Sequence, residues 1–494
     1  MNNIGFDNDK YLSLQSQNIL KRIDKFGGKL YLEFGGKLFD DYHASRVLPG
    51  FCPDSKIRML RKLKDQAEII IVISADAIEK NKRRGDIGIT YDLEVLRLID
   101  AFRESGLYVG SVVITHYTGQ KAAAAFESRL NNLGLKVYKH YIIEDYPNNI
   151  PLIVSDAGFG KNDYIETQRK LVVVTAPGPG SGKMATCLSQ LYHEHKRGIS
   201  AGYAKYETFP IWNIPLKHPV NVAYEAATAD LSDVNMIDLY HLEAYGETTV
   251  NYNRDIEIFP VLKAIFEKIS DSCPYKSPTD MGVNMAGYAI CDNDAVCKAS
   301  EQEIIRRYYK ALCAETQGLG SHSEVLKIET LMTQLGISAL DRPVVKAATD
   351  KSESTSAPAV AIELNDGRIV TGKTSSLLGS SAACLLNALK ALADIDDDKL
   401  LISPQVIEPI QKLKTEHMGN RNPRLHTDEI LIALSICAVT DEDAAKAMNK
   451  LSMLKNAEAH STVILSGVDD NIWNKLGVNM TCEPKYQTKK LYHR

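Results

Sequence analysis

The sharpest chemical signal in the chain is Leu171–Gln190, LVVVTAPGPGSGKMATCLSQ. An apolar strand runs into a turn holding Gly178, Gly180 and Gly182, followed by Lys183 and a helix-forming stretch. Glycines let successive backbone N–H groups point into a concavity, and a helix start leaves N–H donors unpaired where its macrodipole favours an anion. These are the requirements of a phosphate-binding loop. Gly178, Gly180, Ser181 and Gly182 would form the cradle, with Lys183 as a mobile catalytic cation at its rim. The regular loop pattern, GxxxxGK[ST], is broken twice. Pro177 stands where its first glycine belongs, and Met184 replaces the hydroxyl residue that holds Mg²⁺. The expectation is therefore a degenerate P-loop-like turn; a tight strand-to-helix connection with a surface lysine is the alternative.

Three further segments carry reactive side chains. In Leu152–Asn162, LIVSDAGFGKN, an apolar run ends in Asp156 before Gly158, Gly160 and Lys161. An acid at a strand's carboxyl end faces the ligand crevice, so Asp156 is expected to position a metal or a reacting group, with Lys161 on the phosphate; an ordinary turn is the alternative. Gly35–Phe51, GGKLFDDYHASRVLPGF, gathers Lys37, Asp40, Asp41, His43 and Arg46. Guanidinium forks suit phosphate, and imidazole works as an acid–base group near neutrality. His43 is thus a catalytic candidate, and Lys37 and Arg46 are phosphate-binding candidates, against a solvated loop with internal ion pairs. Lys82, Arg83 and Arg84 could clamp an anion or form a solvated face. An acidic stretch carries Glu225, Asp230, Asp233, Asp238, His241 and Glu243. Asp238 and His241 would share a helix face, but no spacing there matches a metal signature, and no metal ligand is assigned.

Other chemistries are excluded by pattern. His193-Glu194-His195 sets its histidines on different helix faces and is no HExxH; Ser181 has Pro179 where a GxSxG elbow needs glycine. His417, His426 and His460 come without the H-x-E and P-C-x-x-C of zinc deaminases.

The elements that must hold these residues follow from periodicity. A hairpin is expected around Gly35-Gly36. Glu68–Ser74, Tyr108–Thr115, Leu135–Tyr141, Pro151–Ser155 and Leu171–Thr175 read as strands, alternating with helices over 92–105, 120–133 and 183–196. That alternation argues for βαβ units and a mainly parallel, doubly wound sheet. Helices are expected over 256–270, 300–317 and 323–335. A hairpin across Asn365-Asp366-Gly367, helices over 380–393, 427–439 and 441–454, and a strand Ser461–Leu465 follow, with Lys351–Pro358 as a linker-like loop. The fold class expected is α/β in three parts: a doubly wound domain with the P-loop-like turn at 1–225, a mainly helical domain at 226–330, and a smaller C-terminal α/β domain at 331–494.

Composition bounds the partners. The 494 residues hold 58 Lys and Arg against 62 Asp and Glu, a net charge of −4, with 44% hydrophobic residues. Such a chain can bury sizeable cores. It shows no electrostatic footprint for nucleic acid or an anionic membrane, and its apolar runs reach only about five residues against the roughly 20 of a membrane span. No secretory signal opens the chain, and nine scattered cysteines fit reduced thiols, so a cytoplasmic protein is expected.

The strings GGKLFDDYHASRVLPGF, SDAGFGKNDYIETQRKLVVVTAPGPGSGKMATCLSQLYHEHKRG and NMIDLYHLEAYGE resemble a family of uncharacterised bacterial proteins over essentially the whole length. Some of its members carry the label ATP-dependent peptidase, which the missing protease motifs do not support. What the resemblance implies is that the three strings matter together. The function expected is an enzyme that binds a phosphorylated small molecule or nucleotide, transferase-like or ligase-like, with nucleotide and Mg²⁺ as the cofactor to test. The alternative is a non-catalytic ligand-sensing or assembly protein. A homo-oligomer is expected on general grounds.

Overall fold

Ile69–Ile73 and Leu171–Val174 are apolar on both faces, and a strand can bury both only inside a sheet covered on each side. The computed structural model, which describes residues 4–36, 38–39, 41–84 and 88–488, builds such a sheet. Its strands are β1 (Leu30–Phe34), β2 (Ala67–Ser74), β3 (Tyr108–Tyr117), β4 (Lys136–Tyr141), β5 (Leu171–Thr175), β6 (Gly202–Tyr206) and β9 (Gly282–Val283). They lie in the order β4-β3-β2-β5-β1-β6-β9, each parallel to its neighbours. The chain divides into two compact units, one of residues 4–225 with 232–300, the other of residues 226–231 with 301–488.

The strand order creates a crevice. From β1 the chain crosses to β2 past the position of β5; from β5 it crosses to β6 past β1, in the opposite sense. Right-handed crossovers put the two connections on opposite faces. The carboxyl ends of β1 and β5, adjacent in the sheet, therefore stand at a topological switch point.

Helices α1 (Asn8–Lys25), α2 (Tyr42–Val47), α3 (Ser55–Lys62), α4 (Ala75–Glu79), α5 (Tyr91–Glu104), α6 (Lys121–Asn132), α7 (Ile150–Ile153), α8 (Lys183–Lys196) and α9 (Asn253–Ser270) belong to the first unit. Its core packs Ile70, Val72, Val172, Val174 and Tyr203 of the sheet against Leu188 and Leu191 of α8 and Leu262 and Phe266 of α9. A short antiparallel pair, β7 (Asn235–Ile237) with β8 (Val250–Tyr252), also lies in this unit.

The second unit holds a four-stranded sheet in the order β11-β10-β12-β13, from β10 (Ala359–Glu363), β11 (Ile369–Lys373), β12 (Glu458–Ser461) and β13 (Asn479–Cys482). β10 and β11 form the expected hairpin, its turn closed by Gly367 at φ 83°, whereas β12 and β13 run parallel. Val360 and Ile362 pack with Leu385, Leu389, Ile430, Leu434 and Trp473. Among the described residues, no helix is long and apolar enough to cross a membrane.

Several sequence expectations need correcting. The hairpin at Gly35-Gly36 does not form: β1 is central, flanked in parallel by β5 and β6, and two buried neighbours outweigh one antiparallel return. The strand expected at Pro151–Ser155 is the turn of helix α7, because Asn149 accepts a hydrogen bond from the Leu152 N–H and Pro151 sits in the first turn. Lys351–Thr355 is no loop; it continues the helix Pro343–Thr355, where the Ser354 and Thr355 hydroxyls donate back to the Lys351 carbonyl. The strand expected at Ser461–Leu465 ends at Ser461.

Candidate functional site

The turn between β5 and α8 opens at the switch point. Gly180 and Gly182 take φ of 74° and 86°, a left-handed backbone that glycine adopts without strain. The buried Ser181 hydroxyl donates to the Gly178 carbonyl at 2.9 Å, closing the turn on itself. From β3, the Thr115 hydroxyl donates to the Ser181 carbonyl at 2.8 Å and fixes the turn to the sheet. Gly178 lies so close to the hydroxyl of Tyr91 that a Cβ there would collide with it, and the Lys82 ammonium covers the same tyrosine ring at 5.1 Å. One cation of the basic run 82–84 is thus brought beside the turn, while Arg84 pairs with the buried Glu94 instead. Gly182 is the N-cap of the 14-residue α8, whose first-turn N–H groups have no intrahelical acceptor. The Thr186 hydroxyl donates to the Gly182 carbonyl at 2.9 Å, and Met184 packs on the core, so neither stands in for the hydroxyl of a regular phosphate loop.

Lys183 points at a neighbouring strand. Its Nζ lies 4.0 Å from Oε1 of Glu33 on β1, with 16% of the lysine side chain exposed. Oε2 of Glu33 accepts a hydrogen bond from the Tyr203 hydroxyl at 2.7 Å, so the carboxylate is held from β6 while it faces the ammonium. Next along β6, Lys205 pairs with Glu207 at 2.8 Å and with Asp255 of α9. Burial works against the Lys205 ammonium, yet Asp255, Glu207 and Glu33 together hold it above its ordinary range. Burial pushes the Glu207 carboxyl up to about 7, against the pull of Lys205 and helped by Asp255. Burial, reinforced by Glu33, also raises the Cys187 thiol well above its usual range, which leaves no thiolate nucleophile at that position. The sheet end thus carries two lysines and three carboxyl groups in a largely buried setting, with the Glu207 carboxyl raised toward neutrality.

The remaining candidates fall in different places. His43 on α2 packs edge-on against Phe209 at 5.3 Å and Tyr224 at 5.6 Å. Tyr224 lies against Tyr252, and Lys205 sits 5.8 Å over the Tyr252 ring, so two aromatic rings separate His43 from the charged cluster. Asp41 caps α2 and pairs with Lys56 at 2.8 Å; Arg46 is half-buried on the same helix. Lys37 and Asp40 lie outside the described residues. Asp156 is not brought to the turn. It is exposed, accepts from the Tyr192 hydroxyl at 2.9 Å and pairs with Lys196 at the far end of α8, roughly 15–20 Å from Lys183 at 1.5 Å per helical residue. Lys161 lines a cavity at the ends of β3 and β4, its Nζ 5.2 Å over the Tyr141 ring.

In the acidic stretch Asp238 is a cap: it accepts from the His241 N–H at 3.1 Å and from the Thr279 hydroxyl at 2.6 Å, leaving no face shared with His241 for a ligand. Among the described residues, no group of three or more His, Cys, Asp or Glu side chains could hold a metal ion.

Glu33, Tyr203, Lys205, Glu207 and Asp255 were missed by sequence reasoning. A signal existed: Glu33 in LYLEF and Lys205 in GYAKY are single charges inside otherwise apolar strands. A buried charge is costly unless paired, so each predicted an opposite charge on an adjacent element.

Comparison with known proteins matches the whole chain. The family profile described as domain of unknown function DUF1846, N-terminal, covers residues 4–336, and its C-terminal counterpart covers residues 340–492. A UPF0371 protein of Streptococcus sanguinis (strain SK36) is 60% identical over 494 residues, all of both chains. UPF0371 proteins of Streptococcus thermophilus (strain ATCC BAA-491 / LMD-9) and Streptococcus pneumoniae (strain JJA) are 59% and 58% identical over 489 residues, each covering 99% of both chains.

Proposed function

The chain belongs to the DUF1846 family, and from the geometry of its sheet end we propose that it is an enzyme that binds a phosphorylated small molecule at the Gly178–Lys183 turn. One observation supports this: the turn stands at the switch point of a parallel sheet, at the start of α8, with the Lys183 ammonium 4.0 Å from Glu33 on the adjacent strand β1. Amides and helix dipole supply directed positive charge, and the ammonium moves from Glu33 to a phosphate oxygen on binding. Glu33, held by Tyr203, keeps the lysine aimed when the site is empty. Transfer at phosphorus needs mainly positioning and charge, which this cluster offers, and Glu207, with its carboxyl near neutrality, is suited to accept a proton. The nine free cysteines support a cytosolic setting.

The test is calorimetric titration of the full chain with pyrophosphate, sugar phosphates and nucleotides, on wild type and on Lys183→Ala. Binding by wild type that weakens at least tenfold in the variant is expected. No binding, or equal binding by both, would overturn the assignment. A second reading, ligand sensing without turnover, is favoured by Met184 and by the engaged Thr186 hydroxyl, which leave the turn without the usual Mg²⁺ ligand. Products appearing when the bound ligand is incubated with protein would decide for the enzyme.

A further inference from the structure

Beside the turn, β3 leaves regular strand geometry. His116 adopts a left-handed φ of 51°, and the pairing of β3 with β4 shifts register between Ile114 and Tyr117. Such an irregularity costs energy and re-aims the residues that follow. Here it sets Tyr117 opposite Tyr141, their ring centres 6.3 Å apart and their planes at 74°. The two rings, with Thr118, Gly119, Ile142 and Lys161, line an open surface cavity of about 420 Å³.

The lining is selective in chemistry. The Tyr141 ring and Ile142 offer flat apolar contact, and the Tyr117 ring stands at 74° to it with Lys139 5.0 Å over one of its own faces; the Thr118 hydroxyl and the Lys161 ammonium offer donors at the edge. Gly119, at φ 91° with open space where a Cβ would stand, leaves the entrance low. A planar ring with acceptor atoms on its rim satisfies all of these at once. Lys161 is exposed and covers the Tyr141 face at 5.2 Å, and an exposed cation–π contact is weaker than a stacked base, so the exchange favours the ring.

The cavity and the turn share a strand. Thr115 bonds the Ser181 carbonyl, and Tyr117 follows two residues later, at most roughly 7 Å along the backbone. We propose that this cavity receives the base of a nucleotide whose phosphates occupy the Gly178–Lys183 turn; the proposal rests on the phosphate reading of that turn and names its ligand class. Inorganic phosphate or a simple sugar phosphate would leave the cavity unfilled.

Titration of the full chain with ADP, GDP and UDP, against pyrophosphate, ribose 5-phosphate and adenosine, separates the two readings. At least one nucleotide is expected to bind about tenfold or more tighter than pyrophosphate and ribose 5-phosphate. Tyr141→Ala should bring that nucleotide down to the affinity of pyrophosphate and leave pyrophosphate unchanged, with Tyr141→Phe retaining wild-type binding. Ile142→Trp, a substitution at an exposed position that fills the cavity, should do the same if Tyr141→Ala fails to fold. Pyrophosphate bound through Lys183 with no gain from any base overturns the base site alone. Adenosine binding that depends on Tyr141, without Lys183-dependent pyrophosphate binding, upholds the ring site and overturns the phosphate reading. Binding of none of these compounds overturns both.

Discussion

The Thr115 hydroxyl, at the end of β3, donates to the carbonyl of Ser181 at 2.8 Å across the top of β2, so the glycine turn is braced by a strand two places away in the sheet. That bond ties the position of the turn to the sheet. Replacing Thr115 by valine keeps the shape and leaves a buried carbonyl unpaired, at a cost of about 1–3 kcal/mol. Denaturant unfolding should show the loss, and phosphate titration should show weaker binding even though Thr115 itself need touch no ligand.

Gly178 has no room for a methyl group beneath the Tyr91 hydroxyl. Gly178→Ala is expected to destabilise the first unit by about 1–3 kcal/mol. In a Tyr91→Ala background the same substitution should cost clearly less, which a double-mutant cycle measures. Additive costs would show that the turn has space the geometry denies.

Acid should weaken the first unit through His140. Burial holds its imidazole down at about 3, with only a hydrogen-bonding contact to the Asp163 carbonyl at 3.3 Å in its favour. The unfolded chain then binds a proton that the folded one refuses between about pH 6.5 and 3. Stability from this group is complete above the unfolded value and falls as pH drops below it, by up to ~1.4 kcal/mol per pH unit. Wild type and His140→Phe, compared by urea unfolding from pH 7 to pH 4, should differ in slope by that amount. Parallel pH profiles would remove His140 from the account.

In the second unit Arg342 is fully buried and joins β12 to β13. Its guanidinium donates to Glu458 at 2.5 Å, to the Thr481 hydroxyl at 3.2 Å, and to the Ala459 and Asn479 carbonyls at 3.0 and 2.7 Å. Arg342→Met strands those acceptors and should cost about 3 kcal/mol in thermal or chemical unfolding. Arg342→Lys should recover only a part, since a point charge cannot reproduce a planar fork.

The turn itself was legible because local order decides it. An apolar run, three glycines and a lysine before a helical stretch leave the backbone few choices, and β5 and α8 begin and end where that pattern places them. The charged cluster was not legible. Glu33, Lys183, Lys205 and Asp255 come from β1, α8, β6 and α9, and only the strand order makes them neighbours. Alternation around Gly35-Gly36 suits a hairpin and a departing central strand equally, so it could not distinguish them. Asp156 failed for a related reason. Once PLIVS folds as a helical turn rather than a strand, its following acid leaves the carboxyl edge and meets Lys196 instead.

The insertion of β5 between β2 and β1 has a consequence for synthesis on the ribosome. Until residue 171 has emerged, β1 has neither of its neighbours, β5 or β6, and β2 keeps one edge unpaired. A nascent chain paused before that point displays sticky main-chain edges to every other polypeptide nearby. The segment that joins β1 to β2 is the one that leads into the glycine turn, so the nascent chain covers those two edges and acquires that turn together, while the outer edge of β1 waits for β6.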